Sequence, residues 1–243
     1  MELDRIIALS NTVTVYRDGD RCVKVFDASH SAADVLQEAL HQAVAVEAGL
    51  PVPPVLEVTA LSGRWALASQ LIRGETLRQY IQKNPQKREE GLRLLVRLQL
   101  LVLEKTASCL PRCKEQLARS IERAPLPEHV RSNLRTRICS VPDGDCLCHG
   151  SLDPANIILT PEGEASILGW ANASRGCPEA DAACTALRLR LQGTDPEQYL
   201  RLFGQQSGHS REEINAWLPL VAAALTVGST EAQREILKPY MNY

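Results

Sequence analysis

No stretch of this chain is apolar for the roughly 20 residues that cross a bilayer. The longest apolar-looking run, Trp217 to Val227, falls well short of that. The first residues, Met1-Glu-Leu-Asp-Arg5, are charged and lack the apolar segment of a secretory signal. The expectation is a cytoplasmic protein without a membrane partner. Net charge is lacking too. Lys plus Arg is 27 and Asp plus Glu is 29, a formal charge of −2, which excludes a globally basic nucleic-acid binder and an acidic solvating tail. The most basic segment, Arg112 to Arg137, has seven basic and three acidic residues and no aromatic one. Without rings on which bases could stack, it reads as a solvated helical face rather than a nucleic-acid surface. There is no internal repeat, no low-complexity tract, and no Gly-x-Ser-x-Gly elbow around any serine.

Eight cysteines are present, but not in a metal-binding pattern. Cys146 and Cys148 are separated by one residue rather than two, and no second pair follows at finger spacing, so zinc is not expected. With no secretory signal, the thiols are expected to be reduced and packed as small hydrophobes.

The 243 residues are 44% apolar and 23% charged. That suffices for a hydrophobic core without disulfide staples. Residues 1–75 are rich in β-branched residues with period-two alternation. Val13 and Val15 lead into Asp18-Gly19-Asp20, a tight turn, and the return strand Arg21 to Phe26 puts Cys22, Lys24 and Phe26 on one face and Val23 and Val25 on the other. Ser31 with Asp34 three residues on is a capping-box pattern that starts a helix. Leu36, Leu40 and Ala43 form its apolar stripe, and Gly49 and Pro51 end it. Strands are expected over Val55–Leu61 and Trp65–Ile72, turning at Ser62-Gly63. From Thr76 the pattern turns helical, with Leu94, Leu95, Leu98 and Leu101 as a core-facing set. Residues 141–176 return to short apolar runs, and 178–243 are helical again. The fold class is α+β, in two unequal lobes. The first, 1–74, is an antiparallel sheet with one helix; the second, 75–243, is helical with an embedded polar loop.

That loop, Cys148-His-Gly-Ser-Leu-Asp-Pro-Ala-Asn-Ile-Ile-Leu159, carries the chemistry. It gathers His149, Ser151, Asp153 and Asn156 ahead of an apolar strand. Asn156 and Asp153 could hold a hard cation through oxygen. Ser151 near His149 could hint at a nucleophile and base, but two positions apart on one loop is weak geometry for a hydrolytic pair.

The segment from His149 to Asn156 resembles the catalytic loop His-Gly-Asp-x-His-Pro-x-Asn of the aminoglycoside phosphotransferase and choline-kinase-like family. Ile167-Leu-Gly-Trp170 resembles that family's Ile-Asp-Trp metal motif, and the run ending Gly176-Cys-Pro-Glu-Ala-Asp181 its Gly-x-Pro-x-x-Asp segment. Val23-Lys-Val-Phe26 resembles the strand of the ATP lysine. Glu38, followed by Gly49-Leu-Pro-Val-Pro53, resembles the partner helix and its exit. Gln70-Leu-Ile-Arg-Gly-Glu-Thr-Leu77 resembles the hinge. The resemblance spans nearly the whole chain in order. It implies a protein-kinase-like two-lobed fold, ATP and magnesium as cofactors, and a small alcohol as acceptor. It assigns nucleotide contacts to Lys24, Glu38 and Gln70, a metal contact to Asn156, and a structural bracing role to Asp181; His149 itself reads as a packed, hydrogen-bonded structural residue of the loop rather than a proton shuttle.

Two departures stand out. Where the family has its base, this chain has Ser151, and where the family has its metal aspartate, it has Gly169. The nucleotide-covering segment Ala8-Leu-Ser-Asn-Thr12 also lacks glycine. Phosphoryl transfer rests on positioning and on metal-ion electrostatics; loss of a positioned base alone typically removes about 10²–10⁴ in rate. Asp153 is the candidate substitute base; the favoured reading makes it an ordinary turn aspartate, since Asp-Pro forms turns. Binding of ATP and magnesium is therefore expected to be weakened. Three functions follow, in this order: a degenerate phosphotransferase that binds a nucleotide or small molecule with little transfer, a working kinase that uses Asp153 and Asn156, and a scaffold with a protein partner.

Overall fold

A computed structural model describes residues 5–10 and 12–241. Along the chain run β1 (Arg5–Leu9), β2 (Val13–Asp18), β3 (Arg21–Phe26), α1 (Ala32–Glu47), β4 (Val55–Leu61), β5 (Arg64–Gln70) and β6 (Glu75–Thr76). Then come α2 (Leu77–Lys83), α3 (Arg88–Leu103), α4 (Cys113–Arg123) and α5 (Glu128–Ser140). The rest is β7 (Cys146–Cys148), β8 (Ile157–Leu159), β9 (Ala165–Ile167), β10 (Ser174–Gly176), α6 (Pro178–Leu191), α7 (Glu197–Ser207), α8 (Arg211–Leu225) and α9 (Glu231–Leu237). The chain forms two compact units, Met1–Tyr80 with Pro154–Asn172, and Ile81–Asp153 with Ala173–Tyr243.

The first unit is built on a five-stranded antiparallel sheet in the order β1-β2-β3-β5-β4. Gly19, at φ +60°, makes the turn between β2 and β3. The β4–β5 turn uses Ser62 at φ 50° and Gly63 at φ 80°, the positive pair that matches the natural strand twist. Alternation along β3 divides the sheet into two apolar faces. Val23 and Val25 pack with Ala66 and Ala68 on one. Phe26 and Leu67 pack with Val35 and Ala39 of α1 on the other. A second, three-stranded sheet, β6-β8-β9, belongs to this unit. Its close pairing needs a glycine at 74, where a Cβ would lie 2.0 Å from the Leu159 carbonyl oxygen.

Ser31 and Asp34 form the expected reciprocal cap of α1. The inward face of that helix, however, is not the expected one. Leu36 and Leu40 are 53% and 52% exposed, while Val35, Glu38, Ala39, His41, Gln42 and Ala45 are buried. Three polar groups sit inside because each has a directed partner in the same unit. Glu38 holds Lys24, His41 meets the Trp170 carbonyl, and Gln42 Nε2 donates to the Pro53 carbonyl at 2.7 Å.

The second unit is helical. α3 buries Leu92, Leu95, Val96, Leu98, Gln99, Val102 and Leu103, so Leu94 and Leu101 of the expected stripe are only half-buried. α6 is buried along nearly its whole length, its small Ala and Cys residues and its leucines packed together with the polar Glu179, Asp181 and Thr185. The basic segment forms α4 and α5, which bury only Leu117, Ile121, Val130 and Leu134. Arg135 on its exposed side spans Glu122 and Glu128. The short strands β7 and β10 pair antiparallel. No helix among the described residues is long and apolar enough to cross a membrane.

Candidate functional site

The candidate residues divide between the two units. The first unit holds Lys24, Glu38, Gln70, Asn156 and Gly169. The period-two alternation of β3 turns Lys24 and Phe26 to the face covered by α1, and Glu38 lies on the inward side of that helix. Lys24 Nζ meets Glu38 Oε1 at 2.5 Å, with side-chain exposures of 27% and 7%. The same ammonium lies 5.0 Å from the Phe26 ring centroid, a cation–π distance. A partly desolvated ion pair that also rests on a ring is far better fixed than a surface pair. Gln70 ends β5, exposed, with its backbone N–H donating to Pro54 O. In the nucleotide-covering segment, Ser10 Oγ accepts from the Val13 N–H at 3.1 Å. Asn11, part of that expected segment, lies outside the described residues.

Asn156 and Gly169 are brought together by the hairpin of β8 and β9. The Leu168 N–H donates to Asn156 O at 2.8 Å. Gly169 has φ +84°, and a Cβ there would lie 3.0 Å from Asn156 Oδ1. The two positions therefore share one small volume, as a metal pair would. Their donor set is one amide oxygen and no carboxylate. Magnesium is normally bound through one or two carboxylates plus substrate phosphates, so these residues do not fit the ion that the family motif would hold.

The second unit holds the loop 149–153. His149 is fully buried and Ser151 is 5% exposed. The Ser151 N–H donates to His149 Nδ1 at 3.2 Å, and Ser151 Oγ lies 3.3 Å from the same nitrogen. An N–H donor at Nδ1 places the imidazole proton on Nε2 in the neutral ring. The Nδ1 lone pair thus faces both the amide and the hydroxyl of Ser151, and a hydroxyl is not itself a base near neutral pH.

Asp181, on α6, braces the loop. Its Oδ1 accepts from the Gly150 N–H at 2.7 Å and its Oδ2 from Gln99 Nε2 at 2.8 Å. Gln99 also donates to Thr185 Oγ1 at 3.1 Å and accepts from Tyr199 OH at 2.6 Å. Burial pushes the Asp181 carboxyl above the ordinary carboxylate range, opposed by Gln99 and by the backbone N–H groups of Gly150 and His149. The Cys184 thiol donates to Gly150 O at 2.9 Å. Gln99, Thr185, Tyr199 and Cys184 escaped the sequence reading, because nothing local marks a helix glutamine or tyrosine as the partner of a residue 82 or more positions away.

Asp153 corrects an expectation. It is not a solvated turn residue but 4% exposed, and its Oδ2 accepts from Gln192 Nε2 at 2.9 Å. Gln192 caps the C-terminus of α6, so the carboxylate is tied down where the helix ends.

All eight cysteines are free thiols. Burial pushes Cys113 up to about 12 and Cys177 up to about 11, which keeps them protonated and unreactive at neutral pH. Among the described residues, one trio of metal-type ligands gathers within 4.8 Å: Glu179, His209 and Glu213. Each is otherwise explained. His209 Nδ1 bonds Glu179 Oε1 at 2.8 Å, and Glu213 completes the capping box of α8 with Ser210. Both carboxylates sit in first turns, where the helix dipole already favours negative charge.

The strand-rich unit with its lysine–glutamate pair, and the helical unit with its braced loop, define a protein-kinase-like fold. The chain belongs to the phosphotransferase enzyme family, whose model matches residues 8–217. No curated protein matches it in sequence. Similar solved structures include an aminoglycoside-3'-phosphotransferase of type VIII, 20% identical with a TM-score of 0.67, covering 90% of this chain and 91% of that one. A second is the aminoglycoside phosphotransferase APH(3'')-Id from Streptomyces rimosus, in complex with ADP and streptomycin. It is 18% identical with a TM-score of 0.66, covering 90% of this chain and 91% of that one. The choline kinase LicA from Streptococcus pneumoniae is 14% identical with a TM-score of 0.67, covering 99% and 93%.

Proposed function

We propose that this chain is a degenerate small-molecule phosphotransferase, which keeps a nucleotide or small-alcohol site and transfers phosphate poorly or not at all. One observation carries the reading. The position of the family's metal aspartate is Gly169, a glycine in left-handed conformation with the Asn156 amide against the space a side chain would need. The base position agrees with it, being a buried hydroxyl beside His149. What binds rather than reacts is intact in form: the Lys24–Glu38 pair for phosphate oxygens and the Asp181 brace for the loop. Metal-ion electrostatics is worth several kcal/mol at a phosphoryl transition state, so losing its carboxylate removes more rate than the loop can restore. The free thiols fit a reducing compartment, and we place the protein in the cytoplasm.

The buried Asp153 favours a second reading, an active kinase with a displaced base. Its bond to Gln192 argues for a structural role instead. Thermal unfolding with ATP, with and without magnesium, tests the proposal. A ligand at 100 times its Kd stabilises by about 2.7 kcal/mol. A shift that does not depend on magnesium is the expected result. A magnesium-dependent shift, with ATP-dependent phosphorylation of an alcohol that Asp153→Ala abolishes, would establish the active kinase. No shift with any nucleotide or small alcohol would leave a scaffold that binds a protein partner.

A further inference from the structure

The inward face of α1 holds a histidine that the proposed chemistry does not use. His41 is fully buried, one turn beyond Glu38. Its Nδ1 lies 3.1 Å from the carbonyl oxygen of Trp170, the residue after Gly169. A carbonyl only accepts, so Nδ1 carries the proton and Nε2 is a bare lone pair. That Nε2 is buried with no hydrogen-bond partner. A leucine would fill the volume without an orphaned ring nitrogen, but it would take the donor away from the Trp170 carbonyl. Histidine at this place accepts the penalty of an orphaned nitrogen in return for one directed bond.

The bond joins two parts of the first unit that the site needs in register. Glu38 and His41 are three positions apart, hence on one side of the helix. Glu38 grips Lys24 of β3 at 2.5 Å. Trp170 is itself fixed, buried, with its indole N–H donating to Ile167 O at 3.1 Å. Helix α1 therefore cannot turn or slide along the Gly169–Trp170 segment without breaking the His41 bond, and Glu38 moves with it.

We propose that His41 is a positioning residue, which through the Trp170 carbonyl sets the helix register that keeps Glu38 on Lys24. The assignment rests on the reading of Lys24 as a phosphate-binding lysine, but its geometry is measurable without any nucleotide. An amine held at 2.5 Å by a carboxylate is less free to meet an amine-modifying reagent such as trinitrobenzenesulfonate than a released one, so the labelling rate at Lys24 reads the grip.

The experiment compares three variants of the full chain by mass-spectrometric labelling rates at Lys24. Lys114 of the second unit, bonded to Val141 O, is the internal reference. His41→Asn presents an amide N–H where Nδ1–H stood; His41→Leu keeps the volume and removes the donor; His41→Gln carries the amide one carbon too far. Loss of a single directed bond corresponds to roughly a tenfold change in an equilibrium. The expected result is a rise of about tenfold in Lys24 labelling for Leu and Gln, near wild-type labelling for Asn, and no change at Lys114. Equal rates in all three variants, no rise for Leu and Gln, or a matching rise at Lys114 would each overturn the assignment and leave His41 as core filling. Should the Leu variant fail to fold, the Asn and Gln pair decides alone. Absence of an ATP-induced thermal shift in the wild type would count against the nucleotide reading and not against the role of His41.

Discussion

Restoring an aspartate at position 169 tests the degenerate reading most directly, and the structure gives the restoration a stability cost. Gly169 adopts φ +84°, and a Cβ there would approach Asn156 Oδ1 to 3.0 Å and its Cγ and Nδ2 to 3.1 Å. An L-residue in left-handed conformation costs about 1–2 kcal/mol, with Asp and Asn among the more tolerant. The Asn156 amide must also yield by a few tenths of an ångström. For a chain of this size each kcal/mol moves Tm by roughly 2–4 °C. Gly169→Asp should therefore lower Tm by about 2–8 °C without unfolding the protein. Gly169→Ala, with the same Cβ and less tolerance of positive φ, should lower it at least as much. Asn156→Ala should be partly compensating in the Gly169→Asp background, because the two positions are in contact and such pairs are not additive. The assay is calorimetric unfolding of each variant, followed by unfolding with ATP and magnesium. On the degenerate reading the wild type shows no magnesium-dependent stabilisation, and the double variant Ser151→Asp with Gly169→Asp should acquire one. If Gly169→Ala is as stable as wild type, the left-handed assignment is wrong. If the folded double variant gains neither magnesium dependence nor ATP hydrolysis, these two positions are not what silences the site.

Other outcomes follow from the same geometry. Asp181→Ala should strand the Gly150 N–H and the Gln99 amide, each worth about 1–3 kcal/mol when buried unpaired; a denaturant midpoint within error of wild type would contradict the brace. Because burial raises the Asp181 carboxyl in the folded state, its contribution to stability is complete below the unfolded value of about 3.9 and declines as pH rises through the folded value. Asp181→Asn should flatten that part of a stability–pH curve, and an unchanged curve would show that the group does not titrate there. Gly74→Ala drives a Cβ to 2.0 Å from the Leu159 carbonyl oxygen. Overpacking of that kind costs about 1–3 kcal/mol or more, so soluble expression at wild-type Tm would refute the close pairing of β6 with β8.

The legible parts of this chain are those whose cause is local. Ser31 and Asp34 cap α1 from three residues apart, and Gly19 and Ser62-Gly63 turn their hairpins from within. The period-two pattern of β3 put Lys24 and Phe26 on one face, where the structure has them. What could not be read is what depends on distant partners. Hydrophobic periodicity pointed to Leu36 and Leu40 as the buried stripe of α1, yet both face solvent. A mixed face of Val35, Ala39 and Ala45 with Glu38, His41 and Gln42 turned inward instead, because Lys24, Pro53 and the Trp170 carbonyl meet its polar groups, the last 129 positions away. Asp153 looked like a turn former because Asp-Pro usually is one, and its burial depends on Gln192, 39 positions on. Hydrophobic burial is non-directional and can be exchanged between faces of a helix, whereas a buried charge or amide must meet one specific partner. The polar residues of α1 and of the 149–153 loop therefore carry more of this site's architecture than its leucines do, and substitutions at Glu38, His41, Asp153 and Asp181 should disturb it more than substitutions at Leu36 or Leu40.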